Sequence, residues 1–160
     1  MASQQKTFTL MASDGEQFTV KESVATTMVI VKHFIEDNDD DCSSSTPIPL
    51  PQVSSHTLSQ VITYIDHYLN LKDAKADEYN AEFVKDLSND DLREMIVAVN
   101  YINVRFLLDV LNMELAHRIK NETPEYVRSF LRIENDFTEA EEKVVRKQFL
   151  HAYEDIDKDY

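Results

Sequence analysis

Apolar and polar residues alternate over positions 7–11, where Phe8 and Leu10 share one side, and again over 17–20, where Phe18 and Val20 do. A period of two sends successive side chains to opposite faces of a strand, so both runs predict strands with one buried face. Asp14 and Gly15 stand between them, and this pair supplies the positive backbone angles of a tight turn. The first 20 residues therefore predict a hairpin. The period then changes: Val24, Met28, Val31 and Ile35 recur at helical spacing over 24–35, and an acidic run, 36–41, ends the segment. Pro47, Pro49 and Pro51 alternate with Ile48 and Leu50. Each proline removes a backbone donor, which excludes a helix or a central strand and predicts an extended edge.

Helical spacing dominates the rest. Leu58, Val61, Ile62, Ile65, Tyr68 and Leu69 form one amphipathic stripe. Positions 70–80 are polar, acidic and aperiodic, and read as a flexible surface loop. Ser88 stands as an N-cap with Asp91 three residues on, ahead of Leu92, Met95, Ile96 and Val99. Over 104–119 the pattern broadens. Val104, Leu107, Leu108, Leu111, Leu115 and Ile119 make one stripe, while Phe106, Val110 and Met113 make another, as in a helix that is central or meets two bodies. Asn121 suits a left-handed helix end, and Thr123 with Pro124 restarts the chain towards Tyr126, Val127, Phe130 and Leu131. Thr138 and Glu141 then form a capping box that opens a helix through Val145, Phe149 and Tyr153. The residues after 120 are too few for a core of their own.

Composition narrows the function. Among 160 residues, 16 lysines and arginines face 30 aspartates and glutamates, a net charge of −14 that repels nucleic acid and anionic membrane alike. No run is long enough to span a bilayer, and residues 1–10 lack the pattern of a secretory signal, so a cytosolic or nuclear protein is expected. The one cysteine, Cys42, forms no internal disulfide. The five histidines are not spaced as zinc ligands. Asp37, Asp39 and Asp41 imitate the start of a calcium loop, but Cys42 stands in place of its glycine and Ile48 in place of its glutamate, so a solvated acidic loop is expected instead. A single glycine excludes a phosphate-cradling loop, and no nucleophile elbow is present. Neither an enzyme motif nor a cofactor motif emerges. The chain reads as a set of surfaces.

The segments SDGEQF (13–18), PIPLPQV (47–53), AVNYINVRFLLDV (98–110) and TPEYVRSFLRIENDFTEAEE (123–142) together resemble the Skp family, adaptors of Skp-cullin-F-box ubiquitin ligases. The resemblance runs the whole chain in family order. It implies a helix-rich α/β fold: a BTB/POZ-type cullin-binding domain over 1–120, then a C-terminal helical extension over 121–160 that packs on an F-box. Elongin C relatives share the first part and lack the second. The partners implied are a cullin and F-box proteins.

The resemblance assigns Asn100 and Tyr101 to the cullin face; the residues alone read as a helix end with a half-buried tyrosine. It assigns Leu108, Leu115, Ile119, Ile133, Asn135, Phe137, His151 and Tyr153 to the F-box side. Without it, Leu108, Leu115 and Ile119 serve equally as intramolecular core, and Ile133 and Phe137 as a staple across a helix start. Family members commonly end in W-A-F-E, where this chain has His151, Ala152, Tyr153 and Glu154 and contains no tryptophan. Tyr79, Asn121 and Glu139 replace a family tryptophan, glycine and proline. The smaller, polar His151 predicts a narrowed set of F-box partners in a divergent paralogue. Three alternatives remain beside the adaptor: a BTB-like protein that binds F-box proteins without a cullin, a homodimer that uses the same C-terminal surface when no F-box protein is bound, and, last, a hydrolase or transferase, which no motif supports.

Overall fold

A computed structural model describes residues 6–38, 46–71 and 75–153, with side-chain surroundings as far as His151. Strand β1 (Thr7–Ala12) turns into β2 (Gln17–Lys21), and Gly15 sits in the turn at φ 86°. The antiparallel register sets Phe8 against Val20 and Leu10 against Phe18, so Phe8, Leu10 and Val20 are buried on one face, as the alternation predicts. The proline run gives β3 (Ile48–Leu50), which pairs in parallel with β1 and lies at the edge of a β2-β1-β3 sheet. Ile48 and Leu50 face inward and Pro49 outward, where a missing amide hydrogen costs least.

The single helix expected over 24–35 is two: α1 (Glu22–Thr27) and α2 (Val29–Asp37), parted at Met28. Thr26 and Thr27 donate their hydroxyls back to the carbonyls of Glu22 and Ser23, both at 2.8 Å. Such back-bonding competes with the helical ladder, and fully buried Met28 takes extended angles. The acidic run beyond 38, including Asp39, Asp41 and Cys42, lies outside the described residues.

Helix α3 (Ser55–Asn70) buries Leu58, Val61, Tyr64 and Ile65. The loop expected over 70–80 is corrected in part. Residues 72–74 lie outside the described set, but Ala76 to Asn80 belong to helix α4 (Ala76–Lys85). Two causes are physical: Asp77 and Glu78 complement the positive end of the helix dipole, and Tyr79 stacks on Tyr64 at 5.3 Å between ring centroids. Helix α5 (Asn89–Ile102) starts where expected, with the Ser88 hydroxyl accepting from the Asp91 amide, and ends at left-handed Asn103.

Helix α6 (Arg105–Ile119) follows, then left-handed Asn121 at φ 61° and α7 (Pro124–Leu131), capped by Thr123. The capping box forms in full at the start of α8 (Glu139–Gln148): Thr138 and Glu141 exchange hydrogen bonds in both directions. The helix expected to run unbroken to Tyr153 is interrupted. Phe149 leaves helical angles while its amide still bonds to Val145, and α9 (Leu150–Tyr153) follows. No buried side chain on α8 enforces continuity there.

The chain divides into two compact units, Met1–Asn112 and Met113–Tyr160, so the division falls within α6. Their interiors differ. Among the described residues, every buried apolar side chain except Phe130 precedes Asn112, including Leu10, Met28, Tyr64, Leu92, Met95, Leu107 and Leu111. The first unit owns a core, whereas the second is mostly surface.

Candidate functional site

In the first unit, α5 aligns Arg93, Val97, Asn100 and Tyr101 at helical spacing on one face. Asn100 is exposed and Tyr101 half-buried next to the helix end, where the Asn103 amide bonds to the Val99 carbonyl. Val97, one turn earlier, is 62 % exposed. It borders an open groove of about 510 Å³ whose walls also include Ser13, Pro51, Gln52 and Arg93. Periodicity could not find Val97, because it falls off the buried stripe and reads as an ordinary surface residue. Asn100 and Tyr101 lie beyond the groove's lining.

The second unit presents apolar surface. Seven of the nine exposed large apolar side chains among the described residues belong to it, against two in the larger unit: Met113, Tyr126, Ile133, Phe137, Val144, Phe149 and Leu150. Ile133 is 56 % exposed, Phe137 46 %, and Val144 and Leu150 each 63 %. Leu115 and Ile119 are half-buried, as is Leu108 in the first unit. His151 is exposed on α9, and Tyr153 closes that helix with a side chain outside the described set. Sequence reading missed Met113 as an exposed residue, and Val144 and Leu150 altogether; the last two sit beside Val145 and Phe149, which fit the period and drew the eye.

Asn135 has a local task. Its Oδ1 accepts from the Phe137 amide at 3.1 Å, and its Nδ2 donates to Glu142 Oε2 at 3.4 Å, so it shapes the connector between α7 and α8. Glu142 also accepts from Arg128 at 3.4 Å, and Arg146 bonds to Glu125 at 2.6 Å. Desolvation raises the Glu142 pKa, but hydrogen bonds from Arg128 and Asn135 and the charges of Arg128 and Arg146 outweigh it, leaving the carboxyl below its ordinary 4.5. Among the described residues, no cluster of histidine, cysteine or carboxylate could hold a metal ion, and no helix is long and apolar enough to cross a membrane.

Two family models match the chain: the tetramerisation domain of the Skp1 family over residues 6–70, and its dimerisation domain over 105–150. SKP1-like protein 14 of Arabidopsis thaliana is 40 % identical over 91 % of this chain and 95 % of its own length. The chain belongs to the Skp1 family. SKP1-like protein 11 of the same plant is 38 % identical over 93 % of the chain and 98 % of its own length. SKP1-like protein 1 of Oryza sativa subsp. japonica is 35 % identical, over 94 % and 97 %. The BTB/POZ-type, helix-rich α/β fold expected from the sequence is thus the fold of a Skp1-family chain. Adaptor work in ubiquitin ligation is the class of function that goes with the family.

Proposed function

We propose that this Skp1-family chain is a non-catalytic adaptor that holds a cullin through its first unit and an F-box protein through its second. The observation that carries the reading is the mismatch in the C-terminal unit: a nearly empty interior beside seven exposed large apolar side chains. Apolar surface gathered in one small unit has the character of an unfinished core, which a partner's helices would complete. The apolar anchors proposed are Ile133 and Phe137 in the connector, and the set assigned to the F-box side also takes in Leu115, Ile119, His151 and Tyr153 of the second unit and Leu108 on α6. Asn135 holds the backbone of Phe137 by accepting its amide hydrogen. On the first unit, Asn100 and Tyr101 meet the cullin, and exposed Val97 extends that face along α5. The mechanism is proximity: tying substrate receptor to ligase scaffold raises the effective concentration of substrate at the ubiquitin-loaded enzyme.

Paired capture tests the division. A charge placed at an interface anchor worth about 2 kcal/mol weakens binding roughly thirtyfold. Tyr101→Lys is expected to lose the cullin and keep the F-box protein, and Phe137→Asp to do the reverse. If each substitution leaves both captures intact, or if each abolishes both in a chain whose circular dichroism is unchanged, the two-surface reading fails.

A further inference from the structure

Helix α8 has no buried side chain, and at 10 residues it is shorter than the roughly 12–15 that an isolated helix needs to persist in water. Only Glu142, Val145 and Arg146 among its side chains are even half-buried, so apolar packing is a small part of what holds it. The polar links from α7 and the connector to α8 converge on two residues. Glu142 Oε1 accepts from Arg128 Nη1 at 3.4 Å and lies 3.6 Å from Arg146 Nη2; Glu142 Oε2 accepts from Asn135 at 3.4 Å; Arg146 Nη2 reaches back to Glu125 Oε1 at 2.6 Å. The side chains of Arg128, Glu142 and Arg146 are only 22 %, 24 % and 28 % exposed, so each is pinned from several sides. A network of this kind outlasts a lone surface pair, whose contribution is small.

The network ties together elements that carry different apolar anchors. Ile133 and Phe137 stand on the connector, and Val144 on α8. A partner that seats both sets at once binds best when their spacing is fixed in advance, because ordering them on binding costs affinity. We infer that Glu142 and Arg146 are positioning residues of the apolar C-terminal surface: their ionic latch onto Arg128 and Glu125 sets the pose of α8 before an F-box partner arrives. This rests on the adaptor reading above. A latch of charges is open to ionic strength, whereas a packed helix is nearly indifferent to it.

The test uses the full chain, free and with a recombinant F-box domain, in wild type, Arg146→Met and Arg146→Lys. Hydrogen exchange of the 139–148 amides in the free wild type is expected to quicken about fivefold when sodium chloride rises from about 0.05 to about 0.5 M. In Arg146→Met it is fast at both concentrations, and the α5 amides do not change in any variant. The F-box Kd weakens about five- to tenfold in Arg146→Met and returns to within about twofold in Arg146→Lys, which keeps the charge. If α8 exchange ignores both salt and Arg146→Met, or if Arg146→Met loosens α8 while the Kd stays at the wild-type value, the inference is overturned with the adaptor reading intact. A wild-type chain that captures no F-box domain overturns both.

Discussion

Tyr64 is fully buried on α3, yet its hydroxyl donates to Asn80 Oδ1 at 2.6 Å and its ring meets those of Tyr68, Tyr79, Phe83 and Phe106 at 4.6–6.2 Å. It is the hub that turns an apparently aperiodic segment into α4. Burial first, then the neighbouring Tyr68 and Tyr79, raises its pKa well above the ordinary 10. The folded chain thus holds Tyr64 as a neutral donor, and stability that is complete below pH 10 is lost as pH rises beyond it. Tyr64→Phe is expected to cost about 1 kcal/mol at pH 7, since the Asn80 oxygen loses its donor. That gap between variant and wild type should shrink from pH 10 upward in urea titrations; a gap independent of pH would deny Tyr64 this role. The stripe written for α3 from sequence omitted Tyr64, because its partners lie 4 to 42 residues away and only the fold assembles them. Gly15, Ser88, Asn121 and Thr138 were legible for the opposite reason: each acts on its own few neighbours.

Among the elements, caps decide most where packing decides least. Helix α5 buries Leu92, Met95, Ala98, Val99 and Ile102, so its Ser88 cap is one contribution among many. Helix α8 buries nothing, and the Thr138 capping box is a large share of what stabilises it. Thr138→Ala should therefore cost about 1 kcal/mol locally, which speeds exchange of the 139–148 amides about fivefold. The global urea midpoint should not move, and a shift of the whole transition would place α8 within the main cooperative unit. The hairpin, the proline edge and the α7 restart were legible because turn chemistry and missing donors act locally. The break at Met28 was not: Thr26 and Thr27 are ordinary residues in a helical pattern until their hydroxyls turn back to bond the preceding turn. The candidate surfaces divide likewise. Ile133 and Phe137 stood out in a polar connector, whereas Val97 and Val144 became visible only as exposed side chains on formed helices.

For the whole molecule, the buried core and most of the exposed apolar side chains are housed apart among the described residues. A chain ending at Asn121 keeps every buried apolar side chain described except Phe130. It is expected to stay soluble, melt in one transition, retain the cullin and lose the F-box protein. A truncated chain that unfolds, or that captures F-box proteins at full strength, would contradict this division of labour. The second unit's bare helices have a further meaning in the language of inheritance. A substitution at Met28 or Leu107 is screened when the chain folds, in every cell that makes it and whatever else is present. One at Val144 or Leu150 removes nothing from an interior, so the folded chain accumulates as before, and under the adaptor role proposed above only the F-box partner registers the change. Selection therefore reads the two ends of this gene through different instruments. Duplicate copies can drift apart at the C-terminal helices, each following its own clientele, without any of them ceasing to fold.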